Sequence, residues 1–205
     1  MRLGPGMMGY VPNGQGAPAA SIDQARTRAQ AFADQLGLEV GEVMQFADNY
    51  YVELAEPDGA LATEILVDPA TGASWFEYGP AMMWNTKYGM MSGFLPHGAS
   101  GMMGGGGMMG GGMMGQGFLD PTFSPTPGQD VKPTVSAEKA RQAADRWLRD
   151  KGGGLTAGEA EAFPGYYTAH VLDDGDVVGM LSVNAFTGAV WYHWWHGRFV
   201  AMEEA

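Results

Sequence analysis

Asp68-Pro69-Ala70-Thr71-Gly72-Ala73-Ser74-Trp75 returns later in the chain as Asn184-Ala185-Phe186-Thr187-Gly188-Ala189-Val190-Trp191. A Thr-Gly step closing a turn before an aromatic strand residue is the mark of a hairpin, because glycine takes the left-handed conformation that ends the turn. Working outward, Tyr50-Tyr51 returns as Tyr166-Tyr167 in the same register, and Ser21 with Ala25 returns as Ser136 with Ala140, one residue out of register. Self-similarity over that span marks a tandem duplication.

Each copy reads as a helix followed by strands. Ser21 is placed to cap a helix with Gln24 three residues on, and Ala25, Ala29, Phe32, Ala33 and Leu36 recur at helical spacing before Gly37. Ser136 does the same for Ala140, Ala143, Ala144, Trp147 and Leu148, with Gly152 to Gly154 ending the helix. Tyr50, Val52 and Leu54 alternate on one strand, and Thr63, Ile65 and Val67 on the next, across Pro57-Asp58-Gly59. The second copy repeats this around Asp173-Asp174-Gly175, which reads as a hairpin turn; Asp173 to Asp176 lack the ligand count of a calcium loop. The expected fold is α+β: two modules, 21–78 and 135–205, each with one helix packed on a short antiparallel sheet. A flexible segment, 1–20, precedes them, and a long irregular Met/Gly/Pro-rich linker, 79–134, joins them.

The 205-residue chain holds 33 Gly, 12 Pro, 16 Met and no Cys. Its formal charge of -12, from 23 acidic against 11 basic residues, excludes nucleic acid and anionic membrane as natural partners. The absence of cysteine removes disulfides, thiolate nucleophiles and Cys-type zinc sites. A cysteine-free, methionine-rich chain suits an oxidising compartment, where thioethers persist as ligands. No apolar run reaches the roughly 18 residues of a transmembrane helix.

A helix followed by strands that close on the Asp68 to Trp75 hairpin, and again on Asn184 to Trp191, resembles the PepSY domain, a small α+β module of secreted and membrane-associated bacterial proteins. The second copy departs from the pattern by having Asn184 in the acidic position. The resemblance covers about two thirds of the chain and leaves out the linker and the N-terminus. It implies a non-catalytic, extracytoplasmic protein whose leader is absent from this sequence. It also implies a protein partner, such as the protease that a propeptide restrains.

Most of the methionines stand in doublets, and Met102-Met103, Met108-Met109 and Met113-Met114 lie in nearly unbroken glycine. Thioethers without an apolar segment around them are poor core material, whereas neutral soft sulfur selects Cu(I) or Ag(I). Met90, Met91, Met102, Met103, Met108, Met109, Met113 and Met114 are therefore the candidate ligands, with His97 as a nitrogen donor. Against this stands a passive tether, with the modules acting as a protein-interaction or protease-regulatory unit. A sticky surface for self-association is the third reading. Met82-Met83, beside Trp84, reads as core packing. His193 and His196 have the spacing of two ligands on a helical turn, but this hairpin predicts a strand, on which residues three apart face opposite ways. A shared ion there requires the strand to end early. His170, on a neighbouring strand, is a further nitrogen donor. No phosphate loop, Gly-x-Ser-x-Gly or His-Glu-x-x-His motif is present, so the expectation is a protein that is not an enzyme.

Overall fold

The computed structural model describes residues 17–89 and 132–203. The repeated turn has one hydrogen-bond pattern in both places. Asp68 Oδ1 accepts from the N–H groups of Ala70 and Thr71 at 2.7 and 2.9 Å, and Asn184 Oδ1 accepts from those of Phe186 and Thr187 at 2.9 and 3.0 Å. Each turn then closes on glycine at positive φ, 65° for Gly72 and 72° for Gly188. Asparagine replaces aspartate without loss because the turn uses only one carbonyl-type oxygen.

Helix α1 spans Ile22–Leu36 and α3 spans Ala137–Lys151. Ser21 and Ser136 cap them, accepting from Gln24 N–H and Lys139 N–H. Gly37, at φ 69°, ends α1 in the left-handed conformation. The buried faces are Ala25, Ala29, Phe32 and Ala33 on α1, and Ala140, Ala144 and Leu148 on α3. Small residues bring each helix close to its sheet, and Phe32 meets Phe76 edge-on at 5.4 Å.

The first sheet comprises β1 (Glu39–Phe46), β2 (Tyr50–Ala55), β3 (Leu61–Val67) and β4 (Ser74–Phe76). The second comprises β5 (Thr156–Ala157), β6 (Glu161–Phe163), β7 (Tyr166–Asp173), β8 (Asp176–Asn184) and β9 (Val190–Tyr192). All pairings are antiparallel. Asp174 and Gly175, at φ 48° and 95°, form the tight β7–β8 turn that the sequence places there.

The last strand does not stay with its own copy. β10 (Phe199–Glu203) pairs with β1, so the first sheet runs β10-β1-β2-β3-β4. Such a pairing is non-local and has no signature in either copy's own pattern. Of the stretch expected as linker at 79–134, residues 79–89 are folded against the first sheet, and 90–131 lie outside the described residues. Helix α2 (Pro80–Met83) follows β4, Met82 and Tyr88 are buried in the first core, and Asn85 Nδ2 donates to Ala62 O at 2.8 Å. Four bulky side chains within nine residues, Met82, Met83, Trp84 and Tyr88, were enough to pack that stretch down.

The Tyr-Tyr match needs correction by one residue. Tyr50 pairs with Val67, whereas the residue pairing with Val183 is Tyr167, so the hairpin of the second sheet is one residue shorter. Strand side chains alternate, and the slip exchanges faces. Tyr50 lies in the core under α1 and Tyr51 points away from it; in the second sheet Tyr167 lies under α3 and Tyr166 points away.

Those outward faces meet each other. Met44, Phe46, Tyr51 and Leu66 of the first sheet pack with Met180 of the second, and Glu64 on β3 accepts from Tyr166 and Thr168 on β7. The order of layers is α1, first sheet, second sheet, α3. Between the sheets lies a region both apolar and polar, and it contains the most deeply buried charged and imidazole groups among the described residues, Glu64, Glu77, His193 and His196.

Candidate metal centre

The alternation along β4 decides which way Glu77 points. Phe76 turns toward α1, so Trp75 and Glu77 turn toward the second sheet, and Glu77 is fully buried at 0% exposure. Gly79 then reverses the chain at φ 68°; a Cβ there would lie 3.1 Å from Trp191 and 3.2 Å from Trp195. From the other side, β9 ends at Tyr192, and the turn after it carries His193 and His196. The expected strand alternation therefore stops too soon to separate them. Both rings face Glu77: His196 Nε2 is 2.8 Å and His193 Nδ1 3.3 Å from its Oε1.

Each ring is fixed by its opposite nitrogen. His193 Nε2 lies 2.9 Å from Ser182 Oγ, which lies 2.9 Å from Thr168 Oγ1, and Thr168 donates to Glu64 Oε1 at 2.7 Å. Thr168 has one proton and gives it to Glu64, so Ser182 donates to Thr168 and must itself accept from His193 Nε2–H. For His196, Asn49 Nδ2 donates to Trp195 O, which leaves Asn49 Oδ1 to accept from His196 Nδ1–H at 2.8 Å. These assignments follow from the hydrogen-bond network. Rings wall the centre: His193 stacks on Trp195 at 4.8 Å, His196 stacks on Phe46 at 4.4 Å, and Tyr51 meets His196 edge-on at 5.8 Å.

Trp195 Nε1 donates to Glu77 Oε1 at 3.0 Å. Glu77 Oε2, His193 Nδ1 and His196 Nε2 are buried and have no hydrogen-bond partner, so the short contacts to the imidazoles are not aligned as hydrogen bonds. Burial alone would raise the Glu77 carboxyl, but the His193 and His196 rings beside it hold it well below the usual carboxylate range. Burial lowers His196 against the pull of Glu77. Glu64 is pushed well up by burial and by the charge of Glu77, despite the hydroxyl donors of Thr168, Tyr166 and Tyr51.

Among the described residues, Glu77, His193 and His196 are the one set of three with metal-ligand spacing, their donor atoms all within 4.8 Å of one another. Met90, Met91, Met102, Met103, Met108, Met109, Met113, Met114 and His97 lie outside the described residues. His170 lies away from the centre, 3.2 Å from Glu42. Burial lowers its imidazole, but the Glu42 carboxylate outweighs this and raises it. Glu77 did not stand out in the sequence. The signal that marks it is an acid on the inward face of an otherwise apolar strand, as with Glu53 beside Tyr51 and Glu64 beside Leu66.

No helix among the described residues is long and apolar enough to cross a membrane. No protein-family pattern, curated protein or solved structure matches this chain.

Proposed function

We propose that this chain is a non-catalytic metal-binding protein of an extracytoplasmic space, built from two PepSY-like modules that close on each other around Glu77, His193 and His196. The supporting observation is that, among the described residues, three of the six buried side-chain nitrogen and oxygen atoms without a hydrogen-bond partner, Glu77 Oε2, His193 Nδ1 and His196 Nε2, belong to this one cluster. An unsatisfied buried polar group costs about 1–3 kcal/mol, more when charged, and one cation among them satisfies all three. Unsatisfied groups that cluster are a recognised sign of an ion.

The methionine doublets supply a second, softer donor set in this reading. Met90, Met91, Met102, Met103, Met108, Met109, Met113 and Met114, with His97, suit Cu(I) or Ag(I). The chain on either side of that segment is tied down: Tyr88 N–H donates to Asn85 Oδ1 at 2.7 Å, and Thr134 N–H to Ala185 O at 3.0 Å. Fixed ends lower the ordering entropy that an ion must overcome.

Metal content and competition titrations with Zn(II), and with Cu(I) under anaerobic conditions, test the reading on three proteins: the full chain, His193→Ala/His196→Ala, and a variant with Met102 to Met114 changed to Leu. Zn(II) is expected to be lost in the histidine variant and Cu(I) in the methionine variant. Failure of the full chain to hold either ion above background overturns the proposal.

A second reading, a protein-binding or protease-restraining module with the methionine segment as a passive tether, is favoured by Trp194, a large apolar side chain 68% exposed. Under it, Trp194→Ser abolishes capture of the partner and leaves metal content unchanged.

A further inference from the structure

We infer that the centre is a closed four-donor site for a borderline divalent ion, Zn(II) or Co(II), in which Glu77 binds through both carboxylate oxygens, His193 through Nδ1 and His196 through Nε2, with Ser182 and Asn49 as positioning residues. This inference rests on the metal-binding reading above and specifies the ion class and coordination.

The donor set comes first. Two imidazoles and a carboxylate suit Zn(II) and its neighbours; they are too few oxygens for Ca(II) or Mg(II) and contain no thioether for Cu(I). The spacing agrees. Donors from different residues, each about 2.1 Å from a roughly tetrahedral ion, stand about 3.4 Å apart, whereas the two oxygens of one carboxylate lie closer and flatten the arrangement. His193 Nδ1 is already 3.3 Å from Glu77 Oε1, and His196 Nε2, at 2.8 Å, needs a shift of about half an ångström.

Closure follows from burial. Among the described residues, Glu77 is 0%, His193 2%, His196 1%, Tyr51 0% and Phe46 2% exposed, so the ligands are shielded from bulk solvent. Structural zinc sites are closed and catalytic ones keep a position open. The fourth donor must then come from the protein, and the unpartnered Glu77 Oε2 provides it.

Orientation is the third element. A metal-bound histidine holds its other N–H in a hydrogen bond that fixes tautomer and ring angle. Ser182 Oγ fulfils this for His193 and Asn49 Oδ1 for His196, at 2.9 and 2.8 Å. His193 Nδ1 and His196 Nε2 are thereby the nitrogens left for an ion, and any proton they carry beside the Glu77 carboxylate is released when it binds. Because Glu77 lies on the first sheet and the histidines follow β9 of the second, the ion also ties the two sheets together.

The test is a Co(II) titration of the full chain followed by visible absorption, repeated on Ser182→Ala, Ser182→Thr and Asn49→Ala. The expected result is one Co(II) per chain with the intense visible bands of a four-coordinate ion. Affinity should fall about 10–100-fold in the two alanine variants and recover in Ser182→Thr, which keeps the hydroxyl. Co(II) bound with the weak bands of a six-coordinate ion, or with equal affinity in the alanine variants, overturns this inference and leaves metal binding standing. No uptake of Co(II) or Zn(II) overturns this inference and, with it, metal binding at Glu77, His193 and His196, whereas Cu(I) uptake by the methionines is judged by its own titration. Should a variant fail to fold, nitrogen-15 NMR of the Zn(II)-loaded full chain decides: protons on His193 Nε2 and His196 Nδ1 are expected, and the reverse placement overturns the inference.

Discussion

Glu53 sits between the sheets with three other acids near it. Its carboxyl is pushed up to about 9 by burial first, then by the charges of Glu161, Glu42 and Glu64 and a hydrogen bond with Glu161. The sign of its effect on stability follows directly. Between the ordinary value of 4.5 and about 9 the folded chain keeps a proton that the unfolded chain releases, so Glu53 makes stability fall as pH rises across that window. Glu53→Gln keeps the shape and cannot ionise. Thermal unfolding from pH 5 to pH 9 is expected to show a declining midpoint in the parent protein and a flatter one in the variant; parallel curves contradict it. His193 and His196 illustrate how far single residues could be read. Their candidacy was visible in the sequence, but their convergence depended on where β9 stops, and the acid they meet lies more than a hundred positions away.

At the scale of elements, the parts set by local chemistry were legible. Ser21 and Ser136 cap the helices at the expected positions, and the Asp68 and Asn184 turns form because a side-chain oxygen, a Thr-Gly step and a left-handed glycine lie within five residues. Replacing either capping serine by alanine should cost about 1 kcal/mol in chemical denaturation, with Ser21→Ala and Ser136→Ala additive because the two caps share no partner. A cost near zero for both denies the caps their role. What was not legible is long-range. The pairing of β10 with β1 joins residues from opposite ends of the chain, and nothing in Phe199 to Glu203 announces the partner. The one-residue slip between Tyr50 and Tyr167 was hidden for a different reason. A paired Tyr-Tyr matches itself in either register, and only the strand pairing reveals which ring goes under the helix.

Taken whole, the molecule stacks α1, two antiparallel sheets and α3, and puts acids, imidazoles and hydroxyls where a sandwich would ordinarily be apolar. Leu66, Met44, Phe46 and Met180 supply the apolar part of that interface, and Glu64, Glu77, Thr168, Ser182, His193 and His196 the polar part. A buried polar network that is only partly satisfied weakens the fold. On the proposal that the centre binds metal, a bound ion completes this one. The most direct measurement is the crystal structure of Zn(II)-loaded protein with an anomalous difference map collected on either side of the zinc absorption edge. A single strong peak is expected about 2.1 Å from His193 Nδ1, His196 Nε2 and the Glu77 carboxylate. Zinc peaks only at surface residues, with no density between Glu77, His193 and His196, would contradict it.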